Sequence, residues 1–157
     1  MGTQVITMYN KALIATDGSE YAKRAEARVI EFVKEGSVRQ VVAFHSISHA
    51  NLTSLQPALQ YMPDDVYATI LTEMDAEGQS ILDETKAAFQ AENIEIETRL
   101  IEDIDPVRYV SEVVECEGFD LVVVGRRGHH SKLSEVFLGT VPTRLLHITK
   151  CDVLVVS

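Results

Sequence analysis

The sequence predicts an α/β fold, a doubly wound sheet of five parallel strands with helices on both faces. Three observations lead there. Short apolar runs alternate with segments whose apolar residues recur at helical spacing, in the order β-α-β-α-β-α-β-α-β, and strict alternation of this kind marks a parallel sheet. The runs are apolar throughout except the third, as expected for strands buried on both faces with one at a sheet edge. Turn residues mark the boundaries, and no internal repeat or low-complexity tract is present.

Each element has its own signal. Lys11 to Thr16 (KALIAT) reads as a buried strand stopped by Asp17-Gly18-Ser19. A helix follows from Ser19, with Ala22, Ala25, Val29 and Phe32 on one face, and Gly36 ends it. Arg39 to Ser46 (RQVVAFHS) is the second strand. Residues 47–63 contain Asn51, Ser54, Pro57 and Pro63 without a clear period; so long a loop is expected to be a lid or a partner surface. Asp64-Asp65, two acids suited to the positive end of a helix dipole, start a long helix with Val66, Ile70, Met74 and Ile81 near one face.

Ile94 to Ile101 (IEIETRLI) alternates over its first half, the pattern of a strand with one wet face. Asp105-Pro106 is a helix start with proline at the first position, where its missing N–H costs nothing. Val107, Val110 and Val114 continue that helix, and Asp120 to Val124 (DLVVV) is the fourth buried strand. Residues 125–138 form a loop. Gly139 or Thr140 then opens a final helix carrying Val141, Leu145 and Ile148, and Val153 to Val156 is the last strand.

Composition narrows the function. A chain of 157 residues is expected to be one domain, residues 1–157. Lys plus Arg is 14 against 24 Asp plus Glu, a net charge of −10 with a sequence pI near 4.9. Such a field repels polyanions, and the densest basic cluster is Arg126-Arg127, so no nucleic-acid partner is expected. Apolar residues make up 46 %, enough for a core. The apolar runs, such as Leu121 to Val124, are far shorter than the ~20 residues of a membrane span. Met1 to Asn10 lacks a signal-peptide pattern, so a cytoplasmic protein with no membrane partner is expected. Cys116 and Cys151 form no CxxC pair, which leaves neither a disulfide framework nor a zinc cluster.

In such sheets ligands bind at the carboxyl ends of the strands, where strand order reverses. If the first and fourth strands are neighbours there, Asp17-Gly18-Ser19 meets the loop Gly125-Arg126-Arg127-Gly128, which is followed after ten residues by Gly139-Thr140. Glycines let a backbone approach a ligand, and free N–H groups at a helix N-terminus attract negative charge. The Thr140 hydroxyl can donate to a phosphate oxygen, and the arginine pair adds positive charge beside the same loop. The alternative is that Gly125 and Gly128 only make turns while Thr140 only caps its helix.

These residues resemble the universal stress protein family. Its nucleotide-binding members carry G-x2-G-x9-G-[S/T] between the fourth strand and the last helix, beside Val124-Gly125-Arg126-Arg127-Gly128 … Gly139-Thr140 here. Lys11 to Ser19 matches the family's first strand and its Asp, Ala43 to Ser46 its second strand end, Asp105-Pro106 a helix start, and Cys151 to Val156 the final strand. The likeness covers about residues 9–157. Two departures stand out: ten residues separate Gly128 from Gly139, one more than the family pattern, with the extra one assigned to His129 to Lys132, and Ile104 replaces a frequent Gly.

The resemblance implies a Rossmann-like sheet of strand order 3-2-1-4-5 in a homodimeric, stress-related regulatory protein that binds ATP, AMP or ADP. Asp17 would bind the ribose or sit beside the base, with Ala15 and Thr16 lining that part. Ser46 falls where the family's backbone meets adenine. Val124, Gly125, Arg126, Arg127 and Gly128 would meet ribose and phosphate, and Gly139, Thr140 and Val141 would hold phosphate. Mg2+ carried by the nucleotide can keep waters and phosphate oxygens as ligands. The strand Val153 to Val156 would pair with its copy across a two-fold axis, leaving an unidentified protein partner to read the dimer.

Other chemistries find less support. His45, His49, His129, His130 and His147 supply no converging set of three or four metal ligands at recognisable spacing, so no metal site is expected. Ser19 has no G-x-S-x-G elbow, and Cys116 and Cys151 read as structural thiols, Cys116 half-buried on its helix. No P-loop lysine and no S-G-G-x-D-S loop exist, so no catalytic residue is assigned. A phosphoacceptor domain would need Asp at the end of strand three and Lys at the end of strand five, whereas those ends read Glu102-Asp103 and Val156-Ser157. Two further readings remain open beside nucleotide-dependent regulation: a dimeric interaction protein of the same fold that binds no nucleotide, and a slow ATPase.

Overall fold

The computed structural model describes residues 6–49, 60–128 and 138–157. Strands and helices alternate as β1 (Tyr9–Ala15), α1 (Glu20–Lys34), β2 (Val38–Ile47), α2 (Asp64–Gln90), β3 (Glu97–Glu102), α3 (Pro106–Glu117), β4 (Leu121–Gly125), α4 (Thr140–Ile148) and β5 (Asp152–Val156). The strands form one parallel sheet in the order β3-β2-β1-β4-β5. This is the expected order, with the alternating third strand at an edge.

The side-chain period of a strand explains why the central strands are apolar on both faces. Leu13, Val42, Phe44, Val122 and Val124 point one way, into a cluster with Val107, Val110 and Val114 of α3 and Leu145 of α4. Ala12, Ile14, Ala43, Leu121 and Val123 point the other way, packing with Ala25 and Val29 of α1 and Phe89 of α2. At the start of β4, Asp120 accepts the backbone N–H groups of Asn10 and Lys11 at 2.8 and 2.9 Å, locking the β1–β4 register.

Helix boundaries follow local chemistry. Ser19 caps α1 by accepting the Ala22 N–H, and Gly18 sits at φ 73°, the left-handed region that favours glycine. The expected α1 face is buried at Ala22, Ala25 and Val29, but it also carries a buried Glu26. Asp105 accepts the N–H groups of Val107 and Arg108 at the start of α3, with Pro106 as its first residue. The Asp105 carboxyl is held below the usual Asp range, chiefly by hydrogen bonds from Arg144 of α4.

The face of α2 differs from expectation. Gly78, Leu82, Thr85 and Phe89 are buried, whereas Val66 is exposed and Ile70, Met74 and Ile81 are only half-buried. The helix meets the sheet only over its second half, where Gly78 admits Leu100 and Ile47: a Cβ there would lie 2.8 Å from the Leu100 Cδ1. β3 also starts later than predicted, at Glu97, although Ile96 just before it is buried against the α1 and α2 side. No helix among the described residues is long and apolar enough to cross a membrane.

Candidate functional site

β1 pairs with β2 on one side and β4 on the other, so the chain winds in opposite directions from β1 and leaves a crevice at the strand ends. A cavity of about 530 Å³ occupies that place, within the ~300–1,000 Å³ usual for small-ligand sites. Of the residues singled out in the sequence, Ala15, Thr16, Asp17, Ser46, Val124, Gly125, Arg127, Gly128, Gly139, Thr140 and Val141 all line it. Arg126 does not. Its backbone N–H donates to the Val156 carbonyl at 2.8 Å and its carbonyl accepts from Gly139 at 2.9 Å. Through these backbone groups Arg126 splices β5 to the start of α4.

The first loop is held by its own hydrogen bonds and by those to β2. The Asp17 carboxylate accepts the Ser19 N–H at 3.0 Å, an Asx turn that leads into the α1 cap. Thr16 remains tied to β2 through its N–H to the Phe44 carbonyl, 3.0 Å, and His45 donates Nδ1–H to the Thr16 carbonyl, 2.7 Å. Ser46 turns its hydroxyl to the Ile104 carbonyl, 3.0 Å, which joins the β2 end to the loop before α3.

The three glycines of the second loop serve different contacts. A Cβ on Gly125 would lie 2.7 Å from the Tyr21 carbonyl carbon and 2.8 Å from the Ala22 nitrogen, so this glycine admits the start of α1. A Cβ on Gly128 would fall on the Asp17 carboxylate, so the two loops touch there. Gly139, not Thr140, is the N-cap of α4, with φ −64° and ψ 166°. Thr140 is the first helical residue and its side chain is exposed. Its hydroxyl therefore does not cap the helix. The N–H groups of Thr140 and Val141 make no hydrogen bond to a described residue, and Pro142 has none to offer. Two amides at the positive end of a helix thus border the cavity, an arrangement suited to an anionic oxygen.

Ser19, Ala22, Phe44, His45, Pro106 and Pro142 also line the cavity without having been singled out for it. Arg127 donates to the Tyr21 hydroxyl at 2.8 Å with its guanidinium 5.1 Å from the ring centre, which fixes one cation at the rim. Beneath the first loop lies Glu26, 5 % exposed. Its Oε1 accepts the hydroxyls of Thr16 at 2.7 Å and Thr85 at 2.8 Å. Burial pushes its carboxyl above the ordinary Glu range, while those two hydroxyls pull it back. No sequence signal separated Glu26 from the exposed acids of α1.

The histidine reading needs one amendment. His49 Nε2 lies 2.8 Å from Asp75 and Nδ1 3.0 Å from Asp103, and ligand atoms of His49, Asp75 and Glu102 fall within 4.8 Å of one another. The residues converge in space although nothing in their spacing announces it; both ring nitrogens are already engaged by carboxylates. His129, His130 and the proposed extra residue among His129 to Lys132 lie outside the described residues, as do residues 50–59 of the long irregular stretch. Cys116 is exposed, not half-buried as predicted; burial raises the Cys151 thiol pKa, in keeping with an inert side chain.

A model described as the universal stress protein family matches residues 8–157. Among curated proteins, the universal stress protein YxiE of Bacillus subtilis is 28 % identical over 149 residues, covering 95 % of this chain and 99 % of that protein. Among solved structures, the hypothetical protein MJ0577 superimposes with a TM-score of 0.75 at 24 % identity, over 95 % of this chain and 96 % of that one. A universal stress protein from Archaeoglobus fulgidus, solved in complex with dAMP, gives a TM-score of 0.66 at 17 % identity, over 96 % and 99 % of the two chains. Other solved proteins of this family hold cAMP (TM-score 0.61) and, in Arabidopsis thaliana, AMP (TM-score 0.64).

Proposed function

The chain belongs to the universal stress protein family, and from that premise we propose that it is a cytoplasmic, dimeric regulatory protein that binds an adenine nucleotide. ATP is the ligand proposed first, with AMP or ADP in the same cavity. One observation carries the reading: the cavity at the ends of β1 and β4 is lined both by the Asp17 carboxylate and by Thr140 and Val141, whose helix-terminal amides no described residue engages. That polarity suits a nucleotide, since a carboxylate can accept ribose hydroxyls while N–H groups receive phosphate oxygens. Ala15, Val124 and Val141 supply apolar lining. The family members solved with dAMP, cAMP and AMP support the class of ligand.

In this reading Asp17 orients the ribose, Gly128 keeps the chain close without a side chain, and Gly139, Thr140 and Val141 receive phosphate. Arg127, held by Tyr21, adds positive potential at the rim. Mg2+ arrives with the triphosphate rather than on a protein cage. No side chain is assigned as a catalytic base, and the protein acts by what it binds. Occupancy is read by an unidentified protein partner through the dimer, which forms along β5.

Native mass spectrometry of protein purified without added nucleotide, followed by ATP and AMP titration calorimetry, tests this. One nucleotide per subunit is expected. Asp17→Ala removes charge-assisted hydrogen bonds and should weaken binding by about 10- to 100-fold; Gly128→Trp should abolish it. A clean apo protein with no heat from millimolar ATP overturns the reading. The extra residue between Gly128 and Gly139 favours a second reading, an interaction protein whose phosphate cradle has been lost. A large gain in ATP affinity on deleting one residue among His129 to Lys132 would favour it.

A further inference from the structure

Between α1 and α2 lies a second cavity of about 260 Å³. Ala27 and Ile30 of α1 and Ile81 of α2 give it apolar walls. Glu26 also lines it, at 5 % exposure. Both threonine hydroxyls bind the same oxygen, Oε1, and Oε2 receives no hydrogen bond from any described residue. Oε2 is therefore an acceptor that a cationic donor entering the cavity can engage. The nearby cation is Lys23, but its ammonium is 3.4 Å from Glu84 in an exposed pair. Glu26 and Glu84 against Lys23 leave the cavity one negative charge in excess.

We propose that this cavity is a binding site for a short alkylammonium. The ammonium donates to Glu26 Oε2, and the alkyl chain lies along Ala27, Ile30 and Ile81. The volume amounts to roughly nine water volumes at ~30 Å³ each, room for a cationic head and about four methylenes. Competing ligand classes fit less well. An anion meets two carboxylates, and a neutral hydrocarbon offers Oε2 no donor. Ca2+ or Mg2+ needs about six oxygen ligands, which two carboxylates and apolar walls do not provide.

The test is a titration with n-butylammonium chloride, followed by the methyl NMR signals of Ile30 and Ile81, with n-butanol as the neutral isostere. Glu26→Gln keeps an acceptor for both threonine hydroxyls and removes only the charge, and Ala88→Leu fills the cavity without touching Glu26. Saturable shifts of both methyls are expected at millimolar amine. Affinity should fall at least about tenfold in Glu26→Gln, the scale of a hydrogen bond to a charged group, and Ala88→Leu should weaken it as well. Equal binding of butanol, unchanged affinity in Glu26→Gln, or shifts no larger than sodium chloride produces would each overturn the site. None of these readings depends on nucleotide binding.

Discussion

His49 takes its environment from two carboxylates that belong to different elements, Asp75 of α2 and Asp103 after β3. The hydrogen bonds it donates to Asp103 and then Asp75 raise its pKa above the ordinary histidine value, against a smaller opposing effect of burial. The folded chain therefore holds this proton more tightly than the unfolded chain. The stability it contributes is fully present below about pH 6.5, the unperturbed value, and is lost as pH rises through the higher folded value. The melting-temperature gap between the parent protein and His49→Ala should thus be widest in mild acid and narrow on the alkaline side. Parallel curves across that range would show that the two pairs contribute nothing. His49, Asp75 and Asp103 are too far apart in sequence for any spacing rule to join them. Asp17 and Gly128 were both marked by local chemistry, yet the fact that a side chain on one would displace the other belongs to the folded chain.

At the scale of elements, β4 and α1 approach so closely that only glycine fits at position 125. The atoms a new Cβ would meet belong to the backbone of Tyr21 and Ala22, which cannot rotate aside as a side chain end can. Gly125→Ala should cost about 1–3 kcal/mol, the range for overpacking, and lower the urea midpoint with an unchanged slope. Wild-type stability in that variant would show that α1 can slide on the sheet. Sequence reasoning marked Gly125 for ligand approach because a glycine-rich loop looks the same whether a ligand or a helix presses on it. The course of α2 was legible and its face was not. A hydrophobic period records which residues can be buried, while the angle at which a long helix leaves the sheet decides which are. Gly78, Leu82, Thr85 and Phe89 meet the sheet and its neighbours, and Val66 does not.

For the whole molecule, the charge of −10 spreads repulsion over the surface, and association must come from a specific face. β5 is an edge strand with no pairing partner on its outer side among the described residues, and Val153, Leu154, Val155 and Val156 are half-buried along it. Sedimentation equilibrium should give twice the 17.4 kDa chain mass at micromolar concentration. A monomer at every concentration would remove the proposed dimer. By itself the sequence determined the alternation of elements, the parallel sheet with β3 at an edge, and the loops that bear Asp17, Gly128 and Gly139, because periodicity, turn chemistry and helix caps act within a few residues of the chain. Only the tertiary structure decided which residues line one cavity, that the Arg126 backbone ties β5 to the start of α4, and that Glu26 is buried between Thr16 and Thr85. Those outcomes depend on contacts across the sheet and between helices, where packing and desolvation act without regard to distance in sequence.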